Sequence, residues 1–209
     1  MRRYAKYMRD QITELLTNYG KIDILWLDFS YSQRHGEGDK AWLGGKGKDD
    51  WESEELIRTA RNLQPHIIID NRAELEQDLW TPEQFQPTDW FRHPKTGELV
   101  TWEACQTFSG SWGYYRDEFT WKSPEMLIRM LINTVSNGGN LIMNVGPTAR
   151  GYLDHRAEEA LAVYADWMKY NSRSIYGCTK AEPEFKTPTD CRLTQSEDGK
   201  RLYIHLYAY

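Results

Sequence analysis

The sequence holds 209 residues, 40% of them apolar and 27% charged, with nine tryptophans and a formal charge of −5. That length buries a real core in one domain or two, and a net-acidic chain lacks the basic footprint that phosphate binding requires, so nucleic acid is not expected as a partner. The apolar runs fall short of the about eighteen residues a membrane helix needs, and the basic start MRRYAKYMRDQITELL is followed by no apolar signal-peptide stretch. The chain as given therefore reads as soluble, with no membrane partner, and its location stays open between cytoplasm and secretion.

Tyr4, Met8, Ile12, Leu15 and Leu16 recur at helical spacing over residues 2–19, and Gly20 supplies a C-terminal stop. Ile22–Leu27 then reads as a buried strand that ends on Asp28. Residues 30–50, with Gly36, Gly38, Gly44, Gly45 and Gly47, are expected to form a long mobile loop. Ser53–Asn62 predicts a helix with Leu56, Ile57 and Ala60 inward. HIIID, residues 66–70, is a second short strand that runs into Asp70, Asn71 and Arg72. After a loop rich in Pro and Trp, LVTWEAC (residues 99–105) is a third strand-like run, with Glu103 near its end.

Ser123 and Pro124 open a helix as N-cap and first-turn residue, with Leu127, Met130, Leu131 and Val135 inward and Gly138–Gly139 at its end. NLIMNVG, residues 140–146, is a fourth strand. Asp154 caps a further helix with Ala157, Leu161, Tyr164, Ala165 and Met168 on one side. Beyond Ser172 the periodicity becomes two, and Asp198–Gly199 between alternating runs predicts a hairpin. The three cysteines have no CxxC spacing, so neither a zinc site nor a disulfide framework is expected; Cys178 and Cys191 are the one pair considered for a bridge in an oxidising compartment.

Helices alternate with short, continuously apolar strands up to about residue 172, as in parallel sheets covered on both faces. A (β/α) barrel and a doubly wound sheet both fit. No GxGxxG follows a strand, and GGKGKDD lacks the Ser or Thr of a phosphate-binding loop. In barrels, active sites sit at the C-terminal ends of the strands. Asp28, Arg72 and Glu103 stand at three expected strand ends, so two carboxylates and a guanidinium converge if those ends do. Two carboxylates across a sugar are the minimum set for glycoside hydrolysis. Tyr31, Trp80, Trp90, Trp102, Trp112, Tyr114 and Tyr115 offer aromatic faces to stack on sugar rings. The plainer alternatives stay open: Asp28 capping the following loop, Glu103 paired with Arg72, and the tryptophans packing in core and loops.

NYGKIDILWLDFSY, PHIIIDNR, TWEACQTFSGSWGYYRDE and LINTVSNGGNLIMNVGPTARGYL, in that order, resemble the α-L-fucosidases of glycoside hydrolase family 29 from about Met1 to Tyr176. The resemblance implies the C-terminal part of a (β/α)8-like barrel over residues 1–172, followed by the start of a β-sandwich over 173–209. It implies a retaining mechanism with Asp28 as nucleophile and Glu103, of the Trp-Glu pair, as acid/base, their carboxyl groups about 5–5.5 Å apart. It further implies Arg72 on the sugar hydroxyls and Tyr31 and Trp112 as walls of a fucose pocket. Phe29 stands where many members have Gly. A fucosylated oligosaccharide or glycoconjugate is the implied substrate, with no metal or organic cofactor, and with self-association into a homo-oligomer. The family's paired histidines have no match among His35, His66, His93, His155 and His205. Two other functions remain in play, a non-catalytic carbohydrate-binding remnant and a retaining glycosidase for another sugar.

Overall fold

The computed structural model describes residues 1–30 and 45–207. They form two compact units, Met1–Thr81 and Pro82–Tyr209. The β-rich segment from 173 onward falls in the second unit, with the helices that precede it.

In the first unit α1 (Arg2–Asn18) and α3 (Ser53–Leu63) cover one face of a parallel pair, β1 (Ile24–Leu25) and β2 (Ile68–Ile69). A short α2 (Lys48–Trp51) precedes α3. Leu16, Leu25, Leu27, Leu56, Ile57, Ala60, Ile67 and Ile69 form the core, so the apolar face of each helix meets alternate residues of each strand. The ladder is shorter than expected, two residues per strand instead of the six over Ile22–Leu27 and five over 66–70. Its second face is open: the cross-strand partners Ile24 and Ile68 are 48% and 40% exposed. The expected burial on both faces is therefore met on the helical face only. Of the expected loop over 30–50, residues 31–44 lie outside the described residues, and Lys48–Trp51 is helical.

In the second unit β3 (Glu103–Thr107), α4 (Pro124–Ser136) and β4 (Asn140–Asn144) make a β-α-β arrangement with parallel register from Glu103↔Asn140 to Thr107↔Asn144. Ser123 caps α4 by accepting from the Met126 amide at 3.2 Å, with Pro124 in the first turn. On its other edge β3 is bridged by Glu83 at Cys105, through the Pro82 carbonyl and the Gln84 amide. After α5 (His155–Asn171), capped by Asp154, comes an antiparallel meander in the order β5 (Cys178–Lys180), β6 (Cys191–Ser196), β7 (Leu202–Leu206). The Asp198–Gly199 turn forms as expected, with Gly199 at φ +70°. Strand β5 was not foreseen.

Two expectations are corrected. The third strand does not run over 99–105. Leu99 is drawn into an antiparallel bridge with Arg92, and the strand opens at Glu103 and closes at Thr107. Cys178 and Cys191 do not pair with each other. In register, Cys178 faces Ser196 while Cys191 faces Leu206, at opposite ends of β6, well beyond the about 7 Å that a disulfide spans between Cα atoms.

Candidate active site

The first unit brings two expected residues together. Asp28 follows the C-terminal end of β1 and Arg72 that of the parallel β2, and Arg72 Nη1 donates to Asp28 Oδ1 at 3.2 Å. The Arg72 side chain is 11% exposed and that of Asp28 51%. The guanidinium is oriented on three sides. Nε donates to Thr81 Oγ1 at 2.8 Å, Nη2 to the Thr81 carbonyl at 3.4 Å, and the plane lies 4.4 Å above the Trp26 ring. Thr81 is held in turn by Asn71 Oδ1, which accepts from its hydroxyl at 3.1 Å and its amide at 3.3 Å. A largely buried, firmly oriented cation beside a half-exposed carboxylate presents both donors and acceptors to a polar ligand.

Asp70, fully buried, stands between the two strand ends. Its Oδ1 accepts from the amides of Leu27 at 3.1 Å and Arg72 at 3.4 Å. Its Oδ2 has no hydrogen-bond partner among the described residues. Burial pushes its carboxyl up to about 6; the Leu27 and Arg72 amides and the Arg72 charge oppose the rise, and the Asp28 charge adds to it. Asp70 was seen in the sequence only as part of a polar cluster, and its acid after the apolar triplet of HIIID was the available signal. Phe29 stacks edge-on against Trp51 of α2, 5.5 Å between centroids, and packs against the core of this unit. Tyr31 lies outside the described residues.

The second unit holds Glu103 and Trp112. Glu103 is half-buried and opens β3, opposite Asn140, the first residue of β4. The expected placement near the strand's end is therefore reversed. Trp102 is core, fully buried with Phe91 edge-on at 5.6 Å, and Trp90 packs in its loop with Nε1 donating to the Val100 carbonyl at 2.9 Å. Trp112 is 40% exposed, and its carbonyl accepts from Asn144 Nδ2 at 2.6 Å, which ties its loop to the C-terminal end of β4.

Glu118, which sequence reasoning passed over, is buried in that loop. It accepts from the Ser111 hydroxyl and from the amide and hydroxyl of Thr120 at 2.8 and 2.6 Å, and these bonds, the Ser111 one first, hold its carboxyl down at about 2. A group so firmly ionised staples the loop and is a poor proton donor. Its signal was the acid closing the segment SGSWGYYRDE. Among the described residues, no helix is long and apolar enough to cross a membrane.

The sequence profile of the family described as Alpha-L-fucosidase matches residues 1–173. A plasma alpha-L-fucosidase of Rattus norvegicus is 42% identical over 202 residues, covering 92% of this chain and 40% of the relative. One from Pongo abelii is 31% identical over 201 residues, with the same coverage of 92% and 40%. Among solved structures, alpha-L-fucosidase isoenzyme 1 from Paenibacillus thiaminolyticus superposes with a TM-score of 0.83 at 36% identity, over 99% of this chain and 47% of that one. The Thermotoga maritima alpha-fucosidase in complex with a mechanism based inhibitor gives 0.72 at 26% identity, over 98% and 43%. This chain thus spans less than half the length of these relatives.

Proposed function

The chain belongs to the α-L-fucosidase family, and on that premise we propose that it carries part of the active centre of a retaining exo-α-L-fucosidase acting on fucosylated oligosaccharides or glycoconjugates. The observation that carries this reading is the Asp28–Arg72 pair, an aimed carboxylate and a buried guanidinium at the C-terminal ends of two parallel strands. Asp28 attacks the anomeric carbon and a second carboxyl protonates the departing oxygen. Water, deprotonated by that same group, then hydrolyses the fucosyl–Asp ester. Arg72 holds ring hydroxyls, and Tyr31 and Trp112 supply stacking walls. Residues 1–172 belong to a (β/α)8-like barrel, and 173–209 begin a C-terminal β-domain.

Glu103 is the acid/base that the Trp-Glu pair suggests. A specific observation favours a second candidate. Glu103 stands at the first residue of β3, whereas catalytic groups of barrels stand at the last. Glu83 is an exposed carboxylate two residues along the chain from Thr81, which holds Arg72. Connectivity alone keeps the Cα atoms of Thr81 and Glu83 within about 7 Å.

The test is hydrolysis of aryl α-L-fucosides by the protein and its Asp28→Ala, Glu103→Gln and Glu83→Gln variants. Asp28→Ala should abolish turnover; an unchanged rate sinks the nucleophile assignment. The true acid/base variant should lose most with poor leaving groups and recover with azide, forming fucosyl azide. Fucose binding without turnover in the unaltered protein would transfer the reading to a carbohydrate-binding module, and a faster rate on another aryl glycoside would change the sugar.

A further inference from the structure

We propose that Asp70 is a positioning residue for the Asp28–Arg72 pair, a buried clamp whose single oxygen holds the backbones from which both side chains project. The β1–β2 ladder ends at Leu25↔Ile69. Past that point the Leu27 amide, next to Asp28, turns to Asp70 Oδ1, and the Arg72 amide converges on the same atom. A side chain thus replaces the missing rung and ties the two strand ends together where the reacting groups emerge.

A neutral side chain of the same shape would hold those amides without burying a charge. Placing a carboxyl there, fully buried and with Oδ2 unpartnered among the described residues, is unfavourable unless its ionisation has a use. Among the described residues, the charged groups that bear on it are few. Asp28 faces it from the β1 side and Arg72 from its own turn. On the segment whose Leu79 bridges to Asp70, Asp78 is engaged by Arg61 and by the Ile69 amide at 2.9 Å. With its proton lost near pH 6, Asp70 grips both amides more strongly, and its charge bears on Asp28.

The inference rests on the reading of Asp28 as nucleophile, so its test includes a measurement independent of turnover. The backbone amide shifts of Leu27 and Arg72 are followed in nitrogen-15-labelled protein from about pH 5 to about pH 8, in wild type and Asp70→Asn, beside kcat and KM for an aryl α-L-fucoside in both and in Asp70→Ala. In wild type both amides should move together with a shared midpoint near 6. In Asp70→Asn, which keeps an acceptor oxygen, they should stay flat.

Asp70→Ala should lower kcat at least about tenfold and raise KM, because nucleophile and sugar-binding cation both shift. Asp70→Asn should recover most of that loss and lack the inflection near pH 6. Amides that do not titrate in wild type, or that titrate unchanged in Asp70→Asn, overturn the proposal. So do kcat and KM per folded molecule that are unaltered in Asp70→Ala while only its melting temperature falls. Absence of turnover in wild type defeats the proposed function alone, and the amide titration still decides the role of Asp70. If Asp70→Ala does not fold, the Asp70→Asn comparison decides it.

Discussion

The stability of an Asp70→Asn variant relative to wild type should rise with pH as the native carboxyl becomes charged. Burial raises this group from its ordinary 3.8 to about 6, so between those values the folded protein holds a proton that the unfolded chain releases. The stabilisation from that retained proton is fully present below pH 3.8 and is lost as pH rises through about 6. A rise of about two units corresponds to at most about 3 kcal/mol. Asn keeps the oxygen that accepts from Leu27 and Arg72 and replaces an unpartnered Oδ2 with an amide nitrogen, so its fixed contribution is independent of pH. The difference between the two proteins removes that constant. Urea denaturation of both at about pH 4 and about pH 7 should show the advantage of Asp70→Asn growing by up to about 3 kcal/mol between them, with equal slopes against urea. A difference that stays flat with pH would refute the claim that burial governs this carboxyl. A larger advantage at low pH would reverse its sign.

A Cβ at Gly139 would overlap the ring of the fully buried Trp102, so Gly139→Ala should cost about 1–3 kcal/mol in the same denaturation experiment, while Gly113→Ala, with open space around it, should cost little. Glu118→Gln should loosen the loop carrying Trp112, read as faster proteolysis between Ser111 and Thr120. In wild type the stapling, present above the ordinary 4.5, should persist well below it and fade only as pH falls toward about 2. His205 is buried, and the Thr194 hydroxyl already donates to the Ser174 carbonyl at 2.8 Å, so His205 Nε2, at 3.0 Å, donates to Thr194 as neutral imidazole. Burial lowers its pKa from 6.5, so its contribution holds above 6.5 and is lost as pH falls; protection factors of the β6 and β7 amides, taken against intrinsic exchange at each pH, should fall on acidification, and less so in His205→Gln.

The parts of this fold that were legible in the sequence are those set by local chemistry. Ser123 and Asp154 cap the helices they were expected to cap, and Asp198–Gly199 turns the hairpin, because caps and turns depend on a few adjacent residues. Strand ends are set by partners distant in sequence, and there the expectations slipped. Apolar character runs from Ile22 to Leu27, but only Ile24 and Leu25 find ladder partners on β2. The same cause misplaced the acid of the Trp-Glu pair. Leu99 and Val100 look like the start of a strand, yet Arg92 and Phe91 engage them, so the parallel ladder with β4 begins at Glu103.

That shift matters more for function than for fold. A side chain at the first residue of a parallel strand and one at the last are separated by the strand's length, about 13 Å over the four steps from Glu103 to Thr107. A carboxyl must lie about 5–5.5 Å from the nucleophile to share a retaining mechanism. The register Glu103↔Asn140 therefore puts at the start of its strand an acid expected near a strand's end. Glu83, the second acid considered, is bridged to Cys105, two residues farther along β3 than Glu103. Separate azide rescue of the Glu83→Gln and Glu103→Gln variants decides between local motif and strand register. Rescue of Glu103→Gln alone would mean that the motif outweighs the register, and rescue of Glu83→Gln alone that the acid is found from the sheet and not from the Trp-Glu pair.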